Sequence, residues 1–400
     1  MKSNILIIGA GFAGVWSALS AARLLDQARR DDVRISVLAP QPELRIRPRF
    51  YEADVHSMKA PLGELFEAVG IHFIQGSADT IDAQGRSVSY TDNHGQLQRI
   101  TYDRLILAAG SQVARPAVPG LVEYAFDVDQ MESAMRLEQH LVALASRPES
   151  PARNTVVVCG GGFTGIETAT EMPARLRSVL GEQASLRVLV IDRGATVGGA
   201  LGAGITPSIV AACEQAGVQW LTGSSVVAVD AGGVTLDNGE YVASHTVIWT
   251  VGVKASPLTA QIAGERDSLG RLRVDEHLKV IGQSHIYATG DTAWAAVDDL
   301  GNHALMTCQH AIPMGRHSGN NAAADLLELQ PVAYRQPKYV TCLDLGEWGA
   351  AFTEGWEREL KLQGLEGKHL KRQINSVWIY PPAADRTQAL AAADPLIPVV

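Results

Sequence analysis

The 400-residue sequence predicts an α/β protein with two parallel sheets, each wound by crossover helices, followed by a C-terminal α+β segment. Two observations carry the prediction. An aliphatic strand, a glycine-rich turn and a helix follow one another at 4–22 and again at 155–172, and each copy runs on into a further strand, at 34–38 and at 186–191. A strand joined through a helix to its neighbour in one sheet must pair in parallel. The composition agrees: 46% hydrophobic and 19% charged residues over this length supply apolar surface for two or three cores.

The first turn is GAGFAG at 9–14. Gly9 suits the tight turn, Gly11 lets the backbone approach a pyrophosphate, and Gly14 allows the helix to pack closely on the strand. Phe12 and Ala13 sit between them, where the helix N-terminus faces the phosphates. The second strand of this unit ends in Ala39-Pro40, where an acidic residue would normally hold a ribose. Losing a charged hydrogen bond costs about 1.5–3 kcal/mol. A tightly held group with many other contacts tolerates that deficit better than a nucleotide that must exchange, so the first site is expected to hold FAD and the second NADH or NADPH.

Turn signals at 82–85 and 93–95 mark a small antiparallel insertion before the strand 105–107 and the Gly- and Pro-rich loop 108–120. The second turn, GGGFTG, places Gly160, Gly162, Phe163, Thr164 and Gly165 in the same arrangement. Its second strand ends in Asp192, whose place at the strand end suits a ribose diol before a solvated loop carboxylate. Arg193 beside it suits a 2′-phosphate, so NADPH stays open. The strand 286–289 ends in Gly290-Asp291 and returns to the first domain. The expected division is therefore 1–120 with 284–330 for FAD, 121–283 for NAD(P)H, and 331–400 as a C-terminal domain.

Several classes are excluded. A net charge of −9 without a long basic run argues against nucleic acid and against an anionic membrane as the main partner. No apolar stretch is long enough for a membrane span, which needs about 20 residues, and the apolar tail 390–400 is broken by Pro395 and Pro398. The glycines at 9, 11 and 14 interrupt what would otherwise read as a signal peptide. The four cysteines, Cys159, Cys213, Cys308 and Cys342, show no metal spacing, so no metal is expected and a reducing cytoplasm fits best.

These motifs resemble the two-dinucleotide-binding-domain flavoproteins, and within them the type II NADH dehydrogenases and the ferroptosis-suppressor or apoptosis-inducing-factor-like reductases. The likeness spreads over most of the chain and implies a glutathione-reductase-like pair of Rossmann-type domains. A strand ending in a small residue and Pro, then a basic segment and a second Pro, matches Ala39-Pro40 through Arg47-Pro48-Arg49 and explains the missing carboxylate. YDRLILAAGS at 102–111 looks like the FAD and crossing motif, TVIWTVGVKASPL at 246–258 like a dehydrogenase string, and ATGD at 288–291 like the last FAD motif. The resemblance implies that Pro40, Arg45, Pro48, Ala78, Ala109, Gly110 and Gly290 join the FAD contacts and Gly252 the nicotinamide side. Asp291 takes the ribityl chain.

By the same resemblance Glu167, expected on the first turn of its helix, faces nicotinamide and flavin, and Gln309 lines the acceptor side. Quinone-reducing members carry A-Q-x-x-x-Q beside the flavin. Here CQHAIP at 308–313 keeps the first Gln and puts Pro313 in place of the second, and no amphipathic helix ends the chain, which argues against a membrane quinone. His310 reads as a packed or surface residue before a proton donor. Lys371-Arg372 resembles the family's basic spot at the quinone end. Arg45, Arg47 and Arg49 alternate in a β-like stretch. They either serve an anionic acceptor or reduced flavin, or form a solvated face.

No cysteine precedes Cys159, so disulfide and sulfide chemistry is not expected, with Cys308 and Cys342 the one pair left to consider. The expected function is transfer of a hydride from NAD(P)H to FAD, then of electrons to a quinone-like or other small-molecule acceptor. A slow NAD(P)H-sensing signalling flavoprotein or a biosynthetic flavin oxidoreductase is the alternative, and a homodimer stays open.

Overall fold

The computed structural model describes residues 2–398. The first sheet has seven strands in the order 286–288, 104–107, 3–8, 33–39, 72–82, 87–92 and 97–101. The first five run parallel and the last three form an antiparallel meander, the long strand His72–Asp82 belonging to both. Ile5 to Ile8 are buried on both faces, as an all-aliphatic parallel strand should be.

Helix α1 (Phe12–Gln27) covers one face of this sheet. The second sheet has five parallel strands in the order 125–126, 246–249, 155–159, 187–192 and 218–222. It is flanked by α2 (Met131–Leu144) and α3 (Phe163–Leu180). The chain crosses between the sheets twice, and the crossing segments Ser111–Val113 and Val253–Ala255 pair antiparallel. The strand Ile286–Ala288 then rejoins the first sheet beside Arg104–Leu107.

Helix α4 (Cys308–Leu326) lies on α1 at a distance only glycine permits. A Cβ at Gly315 would stand 2.5 Å from Ala13 O, and one at Gly319 2.0 Å from Ser17 O. Ser17 and Ser318 share a hydrogen bond of 2.9 Å across this contact. The N-terminus of α4, with Gln309, is thereby fixed beside the first glycine turn. Pro313 does not end the helix, which continues through it.

The C-terminal part is a three-stranded antiparallel sheet, 340–344, 350–354 and 359–363, followed by α5 (Gly364–Gln373) and α6 (Arg386–Ala392). The tail docks on the first domain through Arg23–Asp394 and through Arg386–Asp26 at 2.7 Å. The last two residues of the apolar tail lie outside the described residues. Among the described residues no helix is long and apolar enough to cross a membrane.

One expectation needs correction here. The β-like alternation over Arg45, Arg47 and Arg49 stops at Arg45, because Pro48 helps start a 3-10 turn at Arg47–Arg49. The three guanidinium groups therefore point to three different sets of partners.

Candidate active site

Two glycine cradles pass the same steric test. Gly9 has φ +111° and a Cβ there would lie 2.3 Å from Ala108 O, while a Cβ at Gly14 would lie 2.0 Å from Gly9 O. Gly11, the N-cap of α1, faces open space and offers no side-chain cap. Unclaimed helix-terminal N–H groups beside open space suit a pyrophosphate. The residues present therefore fit FAD.

Around this cradle, Ala109 and Gly110 (φ +67°) follow the strand that Gly9 touches. Gly290 (φ +60°) approaches Ala13, its would-be Cβ 2.8 Å from Ala13 Cβ. Asp291 Oδ2 accepts from Ser111 Oγ at 2.7 Å and from Arg47 Nη1 at 3.3 Å, and the other arm of Arg47 pairs with Asp129. Arg47, rather than Arg45, meets the Asp291 carboxylate. Arg45 pairs with Glu43 at 3.0 Å and Glu132 at 2.8 Å, and Arg49 with Glu52 at 2.7 Å. At the strand end that lacks an acid, Gln75 Nε2 donates to Pro40 O at 3.0 Å and to Gln41 Oε1 at 3.2 Å. Ala78 pairs with Tyr90 where the strand bulges.

The second cradle repeats the first. Gly160 has φ +105°, a Cβ at Gly165 would lie 1.9 Å from Gly160 O, and Gly162 faces open space at the uncapped start of α3. Thr164 is exposed and Phe163 half-buried. The Asp192 carboxylate accepts from Gly161 N at 2.6 Å and Gly194 N at 2.7 Å, which fixes it at the carboxyl end of its strand. Arg193 is exposed. Gly252 (φ +71°) follows Thr250, whose Oγ1 donates to Cys159 O at 2.8 Å.

Between the domains lies a buried polar cluster. Glu167 is the fifth residue of α3, so it lies just beyond the first turn where it was expected. The side chain is buried. Its Oε1 accepts from Lys371 Nζ at 2.7 Å and from Asp344 N at 3.0 Å. Lys371 also donates to Cys342 O at 2.9 Å, and Lys368 donates to Asp344 Oδ1 at 2.5 Å. Burial pushes the Glu167 carboxyl up, and the Lys371 ammonium pulls against it. Burial alone would pull Lys371 down, but the charge and hydrogen bond of Glu167, with smaller contributions from Cys342 and Asp344, together raise it. Tyr51, buried with no partner for its hydroxyl, is raised well above its usual range by burial and then by Glu167 and Asp344.

Gln309 turns its Oε1 to Val340 N at 3.3 Å and so ties α4 to the C-terminal sheet. His310 is fully buried with Nδ1 2.9 Å from Thr307 Oγ1, and burial lowers its pKa to about 4. Cys308 and Cys342 are free thiols, pushed by burial up to about 11 and about 12. Sequence reasoning missed Tyr51, Asp344 and Lys368. Lys368 and Lys371 do share a face of α5 at i, i+3 spacing, a signal that basic side chains converge there.

A family model, pyridine nucleotide-disulphide oxidoreductase, matches residues 3–315. An NADH dehydrogenase-like protein of Mycobacterium tuberculosis is 45% identical over 400 residues, 99% of each chain. A demethylphylloquinone reductase of Synechocystis is 29% identical over 369 residues, 88% of this chain and 86% of that one. NDH2 of Plasmodium falciparum, solved in complex with NADH, shares the fold with a TM-score of 0.78 at 14% identity, covering 98% of both chains. The fold and the paired cradles define a two-nucleotide flavoprotein oxidoreductase that uses FAD and NAD(H). The chain belongs to the pyridine nucleotide-disulphide oxidoreductase family, on its NADH dehydrogenase-like side.

Proposed function

We propose that the chain oxidises NADH and reduces a small quinone-type acceptor, with FAD held in the first cradle. The observation that carries this reading is the Glu167–Lys371 pair, buried where α3 leaves the second cradle and meets the C-terminal domain. FAD, when bound, supplies the two-electron chemistry, taking a hydride from NADH on one side and returning electrons to the acceptor on the other. The protein's part is binding, orientation and charge.

Gly9, Gly11, Phe12, Ala13 and Gly14 hold the FAD pyrophosphate, with Ala109, Gly110, Gly290 and Asp291 along the ribityl side. Pro40, Pro48 and Ala78 flank the adenosine end, where the Gln41–Gln75 amide pair stands in for the missing carboxylate. Gly160, Gly162, Phe163, Thr164, Gly165 and Gly252 seat NADH. Asp192, a carboxylate fixed by two backbone N–H groups, favours a ribose diol over a 2′-phosphate, so NADH is preferred to NADPH despite the neighbouring Arg193. Lys371, paired with the Glu167 carboxylate, holds positive charge at the acceptor side, and Gln309 fixes the helix that borders the site.

The 29% identical reductase named for demethylphylloquinone supports a quinone-type acceptor. Four free thiols among the described residues fit a reducing, cytoplasmic setting. Anaerobic stopped-flow reduction with NADH or NADPH, followed by mixing with soluble naphthoquinones, benzoquinones and oxygen, tests this reading. Faster flavin bleaching by NADH and quinone reoxidation well ahead of oxygen are expected. A long-lived reduced state with every quinone overturns it.

A further inference from the structure

The turn of the C-terminal hairpin leaves its own sheet and reaches the second glycine loop. Residues 355–358 join the strands 350–354 and 359–363, and Arg358 takes a left-handed φ of +53°, disfavoured for a residue with a side chain. Arg358 Nη1 donates to Ala200 O at 3.4 Å, its one side-chain hydrogen bond among the described residues. Its guanidinium carbon stands 5.7 Å from the ring centre of Phe163, the fourth residue of GGGFTG, and 6.0 Å from that of Tyr339. Tyr339 stacks on Trp356 at 4.6 Å. Arg358 Nε and Trp356 Nε1 are both buried without a hydrogen-bond partner.

A strained turn thus carries an under-used cation to Phe163, the residue after Gly162, which faces open space at the uncapped N-terminus of α3. The loop GGGFTG has no charged side chain of its own. Uncapped backbone N–H groups at Gly162 and a guanidinium resting on the next residue, Phe163, make a donor set that matches a diphosphate, which arginine binds with two parallel N–H donors.

We infer that Arg358 is a ligand of the NADH diphosphate, delivered across the domain boundary by the C-terminal hairpin, with its seat on Phe163 as the resting position. This rests on reading the second cradle as the NADH site. Calorimetric titration of the FAD-loaded protein with ADP-ribose and with adenosine tests it.

Arg358→Ala is expected to weaken ADP-ribose about 10–100-fold, the loss of a charged hydrogen-bonding group, while adenosine affinity stays that of the parent chain. Arg358→Lys recovers part of the loss, and raised salt weakens ADP-ribose more in the parent than in Arg358→Ala. FAD content, read from visible absorbance, remains one per chain in both variants. Unchanged ADP-ribose affinity in Arg358→Ala and Arg358→Lys overturns the proposal, as does an equal loss for adenosine, which marks a packing role. If the parent chain binds neither NADH nor ADP-ribose, the NADH reading falls and this proposal with it.

Discussion

Glu167 on α3 and Lys371 on α5 meet at 2.7 Å although 204 residues separate them, and both side chains are buried. Removing one partner of such a pair strands the other as an uncompensated charge, which typically costs about 3–5 kcal/mol. Lys371→Met is therefore expected to lower the unfolding free energy by about that much, and Glu167→Gln with Lys371→Met together to recover most of it. Denaturant unfolding of the parent chain and the two variants measures this. The double variant should still be bleached by NADH yet reoxidised slowly by quinone.

Gly11 and Gly14 separate cofactor binding from folding. A Cβ at Gly11 meets nothing within 4 Å, whereas one at Gly14 meets Gly9 O at 2.0 Å. Gly11→Ala should fold with unchanged circular dichroism and lose bound FAD. Gly14→Ala should lose cooperative thermal unfolding as well, because α1 must move off its strand.

His310 predicts a pH dependence. Its folded pKa, lowered by burial to about 4, lies below the usual value of 6.5, so the unfolded chain binds the extra proton first as pH falls. The contribution is complete above 6.5 and is lost progressively down to about 4. The difference of 6.5 less 4 corresponds to about 3 kcal/mol. His310→Gln should flatten denaturation midpoints measured between pH 6.5 and 4.

Cys308 and Cys342 should be inert. Thiols pushed up to about 11 and about 12 are not thiolates at neutral pH. Iodoacetamide is expected to leave both unlabelled in the native protein at pH 7.5, and Cys308→Ser with Cys342→Ser to retain NADH oxidation. Rapid labelling, or loss of turnover in the double variant, would give them the redox role denied here.

The parts of the site legible in the sequence are those that sterics restrict to one residue type. Gly9 and Gly160 need positive φ, and Gly14 and Gly165 need a bare Cα against a carbonyl, so both cradles announce themselves locally. The strands that flank them follow from aliphatic runs. What remained hidden depends on tertiary meetings. Whether Arg45 or Arg47 reaches Asp291 depends on a 3-10 turn at Pro48. The partner of Glu167 comes from the far end of the chain, and neither its burial nor its ion pair leaves a trace near position 167. The hairpin 350–363 that carries Arg358 takes its register, which no local motif announces, from pairing with the strand 340–344.

Anaerobic titration of the purified protein with NADH, followed at the flavin absorbance band with the FAD content counted beforehand, tests most directly that two nucleotides meet in one chain. One FAD per chain, fully bleached by one equivalent of NADH, is the predicted result. A colourless protein, or a flavin that excess NADH leaves oxidised, would contradict it.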